Sequence, residues 1–225
     1  MQKWADIQEA EEAEAKRARM EAKSVTPNFP APVATGWEIG HVVVAVPRTG
    51  KVGVPTPVAD AFLLSRDNKH FVIFTHHTWD KNPSCTELMV GPRGSADEKR
   101  WLSVTRANNI VKRSKDLCAY QVETKEWNAL CAVSLIPANA NVGDYVSVFG
   151  GATQTVCPNA KITAPNVYNA STQEGDSGTP VFLVHHGASP YRKCVGMHLG
   201  TDGTGQNRYM DIATIIDALD HPNSL

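Results

Sequence analysis

The sequence predicts an all-β fold flanked by helical segments. Three observations carry this. From Trp37 onward, short runs rich in Val, Ile and Phe recur, punctuated by Gly, Pro, Asn and Asp. These runs fall into two groups of similar size, with weak strand character between them around Glu126–Asn128. Helical patterns are confined to residues 1–24 and to Asp211–Leu219. Such a pattern suits a sandwich or a barrel.

The N-terminal stretch is rich in Ala, Glu, Lys and Arg, with Glu mostly preceding the basic residues. That order supports a helix through i,i+4 pairs and the macrodipole. Side chains larger than Ala on its apolar side are few (Trp4, Ile7, Met20), so a solvated or frayed arm is expected. TPNFPAPVATG follows, and Pro27, Pro30 and Pro32 end the helix. The first strand group is His41–Val46, Ala61–Leu64, Phe71–Thr75, Leu88–Val90, Trp101–Val104 and Leu117–Val122. The second is Ala132–Ile136, Tyr145–Phe149, Thr155–Cys157, Val181–Val184, Cys194–Leu199 and Arg208–Ile212. In the last segment Ile212, Ile215, Ile216 and Leu219 share one helical face.

The 225 residues are 42% hydrophobic, enough for a real core. A net charge of -1 gives no global pull toward nucleic acid or acidic membranes. No apolar run is long enough to span a bilayer, and the charged N-terminus lacks a signal-peptide core, so an intracellular location is expected. Five cysteines, an odd number with no CxxC, argue against a disulfide framework or zinc knuckle and for reduced thiols. Lys99, Arg100, Arg106, Lys112, Arg113 and Lys115 make residues 99–115 locally basic. A solvated loop face explains that run better than RNA binding does.

The most informative stretch is QEGDSGTP, residues 173–180. Gly-Asp-Ser-Gly is turn composition, so Ser177 is either a turn serine or a nucleophile. A serine hydroxyl needs a base, a group to orient the base, and donors for the oxyanion. The amides of Gly175 and Ser177 suit the last task. Gly178 removes a side chain beside the hydroxyl, and Pro180 opens a strand. The apolar run Phe71–Thr75 ends in His76-His77-Thr78-Trp79, which supplies a base. Asp116 stands at the mouth of another run, while Asp80 and Asp144 are rivals for the acid. Asp80 is too near His77 in sequence to reach across a barrel end easily, and Asp144 reads as a turn former. The order His, Asp, Ser is one of the known triad orders.

Gly175-Asp176-Ser177-Gly178-Thr179-Pro180 resembles the GDSGxP signature of the chymotrypsin-like proteases. The resemblance covers the layout of residues 36–220 and implies two six-stranded antiparallel β-barrels with the triad between them. It divides the chain into an arm and linker (1–35), a first barrel carrying His and Asp (36–125), and a second carrying Ser, the specificity pocket and a C-terminal helix (126–225). Setting Trp79 on the aromatic of the family's histidine block selects His77 over His76. Asp116 heads a run resembling the family's Asp-Ile-Ala-Leu block.

The surroundings differ from a secreted trypsin. No cysteine flanks His77, and Ser171 stands where trypsin-type enzymes carry an acid. Thr172 before the serine block and His198 in VGMHLG resemble instead the picornavirus-type and sobemovirus-type proteases. In those families the equivalent Thr and His line the first specificity pocket, and Asn207 resembles a third donor of the sobemovirus group. The other reading of His198 is a satisfied core histidine. A Thr hydroxyl and an imidazole N–H suit a carboxamide or carboxylate oxygen. The resemblance therefore implies a serine endopeptidase cutting after Glu or Gln, acting on a viral polyprotein in the host cytoplasm, with no metal or organic cofactor. Glu21/Ala22 in the arm is a conceivable cut. A non-viral trypsin-like protease and an inactive protease-shaped binding module are the alternatives.

Overall fold

Residues 41–47, 54–111, 116–130, 135–184 and 193–223 are described by the structure, a computed structural model. The chain divides into Met1–Pro32 and Val33–Leu225. The expected helical arm, the possible cut at Glu21/Ala22, and Lys112, Arg113 and Lys115 of the basic run lie outside the described residues.

The first six strands are β1 (His41–Val46), β2 (Thr56–Arg66), β3 (Lys69–Phe74), β4 (Glu87–Gly91), β5 (Leu102–Thr105) and β6 (Cys118–Val122). They form one antiparallel sheet in the order β5-β4-β1-β2-β3-β6. Alternate residues of every strand meet in one core. Val42 and Val44, Ala61 and Leu63, Val72 and Phe74, Leu88 and Val90, Val104, and Cys118 and Tyr120 all belong to it. The two edge strands β5 and β6 share that core, so the sheet is rolled into a barrel.

The second group is β7 (Ile136–Pro137), β8 (Tyr145–Phe149), β9 (Val156–Ala164), β10 (Val167–Asn169), β11 (Pro180–Leu183), β12 (Lys193–Thr201) and β13 (Asn207–Asp211). The order is β11-β8-β9-β10-β13-β12-β7, and an added β11–β12 pairing closes six of these strands on themselves. Short β7 pairs parallel to β12 outside that ring. Inside sit Val146, Val148, Ile162, Tyr168, Val181, Val195 and Tyr209.

Two mostly β units and few helices are what the resemblance implied. The differences are local. β2 and β9 are longer than expected, and β10 is an added strand. Two short helices, α1 (His77–Asp80) and α2 (Thr124–Ala129), were not anticipated. In α2 the capping box between Glu123 and Glu126 outweighs the low helical signal of a short segment. The C-terminal helix α3 (Ile212–Asp220) follows the expected span, with Asp211 as N-cap accepting from the Thr214 N–H at 2.8 Å.

A third core explains why several strands read as unbroken apolar runs. Phe62, Leu64, Phe71 and Ile73 of the first barrel pack with Phe149, Phe182, Met197 and Met210 of the second and with Ile212, Ile215 and Leu219 of α3. Strands β2, β3 and β11 are thus buried on both faces. Truncating Phe62 or Phe182 to Ala is expected to cost about 3–5 kcal/mol. Among the described residues no helix is long and apolar enough to cross a membrane.

Candidate active site

The turn after β3 brings its histidines to the barrel end. Thr75 is buried and its hydroxyl bonds the Thr78 hydroxyl at 2.9 Å, which fixes the start of α1. The two histidines then part. His76 pairs with Asp80 at the surface, 3.3 Å apart. His77 turns to Asp116, just before β6. Its Nδ1 bonds Asp116 Oδ2, and its backbone N–H donates to Asp116 Oδ1 at 2.7 Å. Burial works to raise the Asp116 pKa, but the side-chain and backbone hydrogen bonds from His77 outweigh it and hold the carboxyl below its usual range. Of the rival acids, Asp80 serves His76 and lies 3.7 Å from Arg106. Asp144 caps a turn, accepting from the Asn141 N–H at 2.7 Å.

Ser177 lies in the loop before β11; among the described residues the hydrogen-bond partner of His77 Nε2 is the Thr75 hydroxyl at 3.5 Å, not Ser177. The Asp176 N–H donates to the Gln173 carbonyl at 3.1 Å, making a turn with Gly175 in third place at φ +99°. That position requires positive φ, which Gly supplies at little cost. Asp176 itself is fully buried. Its Oδ1 accepts from the Thr153 hydroxyl and its Oδ2 from the Gln173 N–H at 2.8 Å. Among the described residues, the N–H groups of Gly175 and Ser177 donate to no backbone carbonyl. The Ser177 hydroxyl rests 3.5 Å from the Leu199 carbonyl, the hydrogen bond it makes among the described residues.

Two contacts join the halves here. The Asp60 N–H donates to the Ser177 carbonyl at 2.8 Å. Extending the Phe62–Ile73 register by two residues sets Asp60 level with Thr75, two residues before His77. On the surface Lys81 Nζ reaches Glu174 Oε1 at 3.1 Å.

His198 lies on β12 beside the serine. Its N–H donates to the Thr179 carbonyl at 2.8 Å, and its carbonyl accepts from the Gly178 N–H at 2.9 Å. Its ring is buried, and Nδ1 is 2.7 Å from the hydroxyl of Tyr168. Burial pushes the imidazole down to about 4, against the opposing pull of Asp176 and the Arg208 carbonyl. Burial likewise holds the Tyr168 hydroxyl well above its ordinary pKa, so it keeps its proton. A neutral ring and a protonated phenol leave two arrangements. If Nδ1 carried the hydrogen, the Tyr168 proton would have no acceptor among the described residues. Tyr168 therefore donates to Nδ1, and Nε2 carries the N–H.

Thr172 donates its hydroxyl to Asn207 Oδ1, and Asn207 Nδ2 donates to the Ala170 carbonyl at 2.5 Å. Asn207 thus stands behind Thr172 and orients it. Ser171 accepts from the Cys157 thiol at 3.0 Å through its carbonyl. The described cysteines (85, 118, 157 and 194) are free thiols. Arg106 of the basic run is exposed and lies over Trp79, its guanidinium 5.1 Å from the ring centroid and 2.6 Å from the Trp79 carbonyl.

Sequence reasoning missed Tyr168, Asp60 and Thr153. Tyr168 sits in Val-Tyr between two Asn residues, a short strand signal, but nothing in the sequence names its partner. Asp60 shows as an acid between two alanines at the head of an apolar run.

No family model matches the sequence, and no curated protein matches it. Solved structures do. One comes from a study of the intrinsically disordered Sesbania mosaic virus VPg protein, with 22% identity, 89% of this chain and 100% of that chain covered, and a TM-score of 0.59. The serine protease domain of the Sesbania mosaic virus polyprotein shares 21% identity over 80% of this chain and 92% of its own, with a TM-score of 0.55. The fold is chymotrypsin-like. An inactive form of the Mycobacterium tuberculosis protease Rv3671c is also similar, at 17% identity over 86% of this chain and 94% of its own, with a TM-score of 0.54. In the chymotrypsin-like frame, His77 and Asp116 belong to the first barrel and Ser177, Thr172 and His198 to the second.

Proposed function

We propose that the chain is a serine endopeptidase that cuts after Gln or Glu and processes a viral polyprotein. The observation that carries this reading is the two-point hydrogen bonding of Asp116 to His77, in a fold that also sets Ser177 on a glycine turn whose Gly175 and Ser177 N–H groups donate to no backbone carbonyl among the described residues. Ser177 attacks the scissile carbonyl. His77 Nε2 takes the hydroxyl proton and returns it to the leaving amine, while Asp116 holds the ring and stabilises its charged form. The Gly175 and Ser177 N–H groups receive the oxyanion. The 3.5 Å Ser177–Leu199 contact is the resting position of a hydroxyl that swings to His77 when substrate binds.

The pocket reading rests on His198. A neutral ring with Nε2–H offers a donor to a substrate side-chain carbonyl oxygen, which takes the place of the Arg208 backbone oxygen beside the ring. The Thr172 proton is committed to Asn207, so its oxygen is left to accept, which suits a carboxamide N–H better than a carboxylate. Gln is therefore favoured over Glu. On one side β12 pairs with β11 only as far as Met197, and among the described residues no strand pairs with Leu199–Thr201 there, which suits them to pair with an extended peptide. The likeness to the Sesbania mosaic virus polyprotein domain supports the polyprotein role.

The test is a cleavage profile. Wild type and Ser177→Ala are incubated with a diverse peptide library and the cut sites read by mass spectrometry. Cuts after Gln, fewer after Glu, and none with Ser177→Ala are expected. Serine-dependent cuts after other residues would keep the protease and remove the pocket. No cutting by the folded wild type would favour a binding module.

A further inference from the structure

Asp60 lies within β2 and is fully buried. A buried carboxylate is costly unless well hydrogen-bonded, and its strand neighbours Ala59 and Ala61 offer no side-chain partner. Three donors come from the other barrel. Oδ1 accepts from the Ala152 N–H at 2.7 Å. Oδ2 accepts from the Gly151 N–H at 3.2 Å and lies 2.6 Å from the Thr179 hydroxyl, whose single proton it shares with the Asp176 carbonyl, also at 2.6 Å. The same residue holds the serine loop by its backbone. Its N–H donates to the Ser177 carbonyl, and a Cβ at Gly178 would overlap its carbonyl oxygen.

We propose that Asp60 is a positioning residue for the reaction, fixing the serine loop and the Gly151–Thr153 loop against the strand pair that leads to His77. This rests on the serine-protease reading of the site. Two routes lead from Asp60 to the reacting atoms. Through Thr179 and the Ser177 carbonyl it sets where the nucleophile stands relative to the base. Through Gly151 and Ala152 it holds the loop whose Thr153 hydroxyl binds Asp176, and Asp176 lies between the two oxyanion donors. A misplacement of about 1 Å at such a site costs roughly 100-fold.

The experiment uses the full chain as wild type, Asp60→Ala, Asp60→Asn and Thr179→Val. Active sites are counted by end-point labelling with a fluorophosphonate, and peptide turnover is measured per counted site. Asp60→Ala is expected to lower kcat per site by roughly 10- to 100-fold with KM within about twofold. Asp60→Asn keeps an acceptor for Ala152, and it and Thr179→Val are each expected to lose about three- to tenfold in kcat per site. Misfolding alone would reduce the number of sites and leave turnover per site unchanged. Wild-type kcat per site in Asp60→Ala overturns the proposal. If that variant does not fold, wild-type kcat per site in both Asp60→Asn and Thr179→Val overturns it. A folded wild type that neither labels nor turns over peptide removes the protease reading, and the proposal with it.

Discussion

Asp116 grips His77 at two points, its Oδ2 on the ring Nδ1 and its Oδ1 on the backbone N–H at 2.7 Å. The second contact fixes the carboxylate plane, so the first also fixes which ring nitrogen carries the proton. Asp116→Asn keeps the backbone contact but presents an N–H to Nδ1. The ring then carries its hydrogen on Nε2 and cannot accept the serine proton. Turnover is expected to fall about 10⁴-fold with the fold intact, as measured by steady-state kinetics beside circular dichroism.

Gly178 lies at φ +89°, with no room for a Cβ beside the Asp60 carbonyl. Gly178→Ala combines a left-handed backbone penalty with a steric overlap. A loss of at least about 3 kcal/mol is expected, seen as a melting-temperature drop of roughly 10 °C. Gly203, with open space around it, is the control. Gly203→Ala is expected to change stability by less than about 0.5 kcal/mol.

Tyr168 sets the His198 tautomer through a single buried hydrogen bond. Tyr168→Phe removes the donor and leaves Nδ1 unpaired, at a cost of about 1–3 kcal/mol. The Nε2–H is then no longer enforced. The expected kinetic result is a roughly 10- to 100-fold lower kcat/KM for Gln at the cleavage site. Substrates with a small apolar residue there should change little.

Stability should also depend on pH through His198. Its folded pKa of about 4 lies below the ordinary 6.5 because the ring is buried. The unfolded chain takes a proton as pH falls through 6.5, while the folded chain refuses one until about 4. The contribution is whole above pH 6.5 and is lost across that window, amounting to about 3 kcal/mol. Asp116, whose folded pKa is also lowered, adds its loss below the ordinary carboxylate range. Thermal melts from pH 7 to 4 are expected to fall, and His198→Gln is expected to flatten the fall.

The sequence made the strands legible where both faces are buried, because Phe71–Phe74 and Val181–Leu183 are unbroken apolar runs. It was less informative where strands run out of the core, so β2, buried only from Ala59 to Leu64, showed only its apolar centre, and β9, partly exposed and with Pro158 and Asn159 inside it, showed only its start. β10 is three residues long, too short for a period to show. The serine turn was legible because Gly175 and Gly178 are demanded by backbone geometry. The partners of His198 and Asp60 were not. Tyr168 lies 30 positions from His198, and Thr179 lies 119 from Asp60, so only the closed second barrel and the contact between barrels bring them together.

The most direct test of a His77-served Ser177 is chemical. The purified chain is incubated with a fluorophosphonate, digested, and mapped by mass spectrometry, with His77→Ala alongside. A single adduct on Ser177, reduced by several orders of magnitude in rate in His77→Ala, is the expected result. A folded wild type with no adduct on Ser177, or one that His77→Ala labels equally fast, would contradict it.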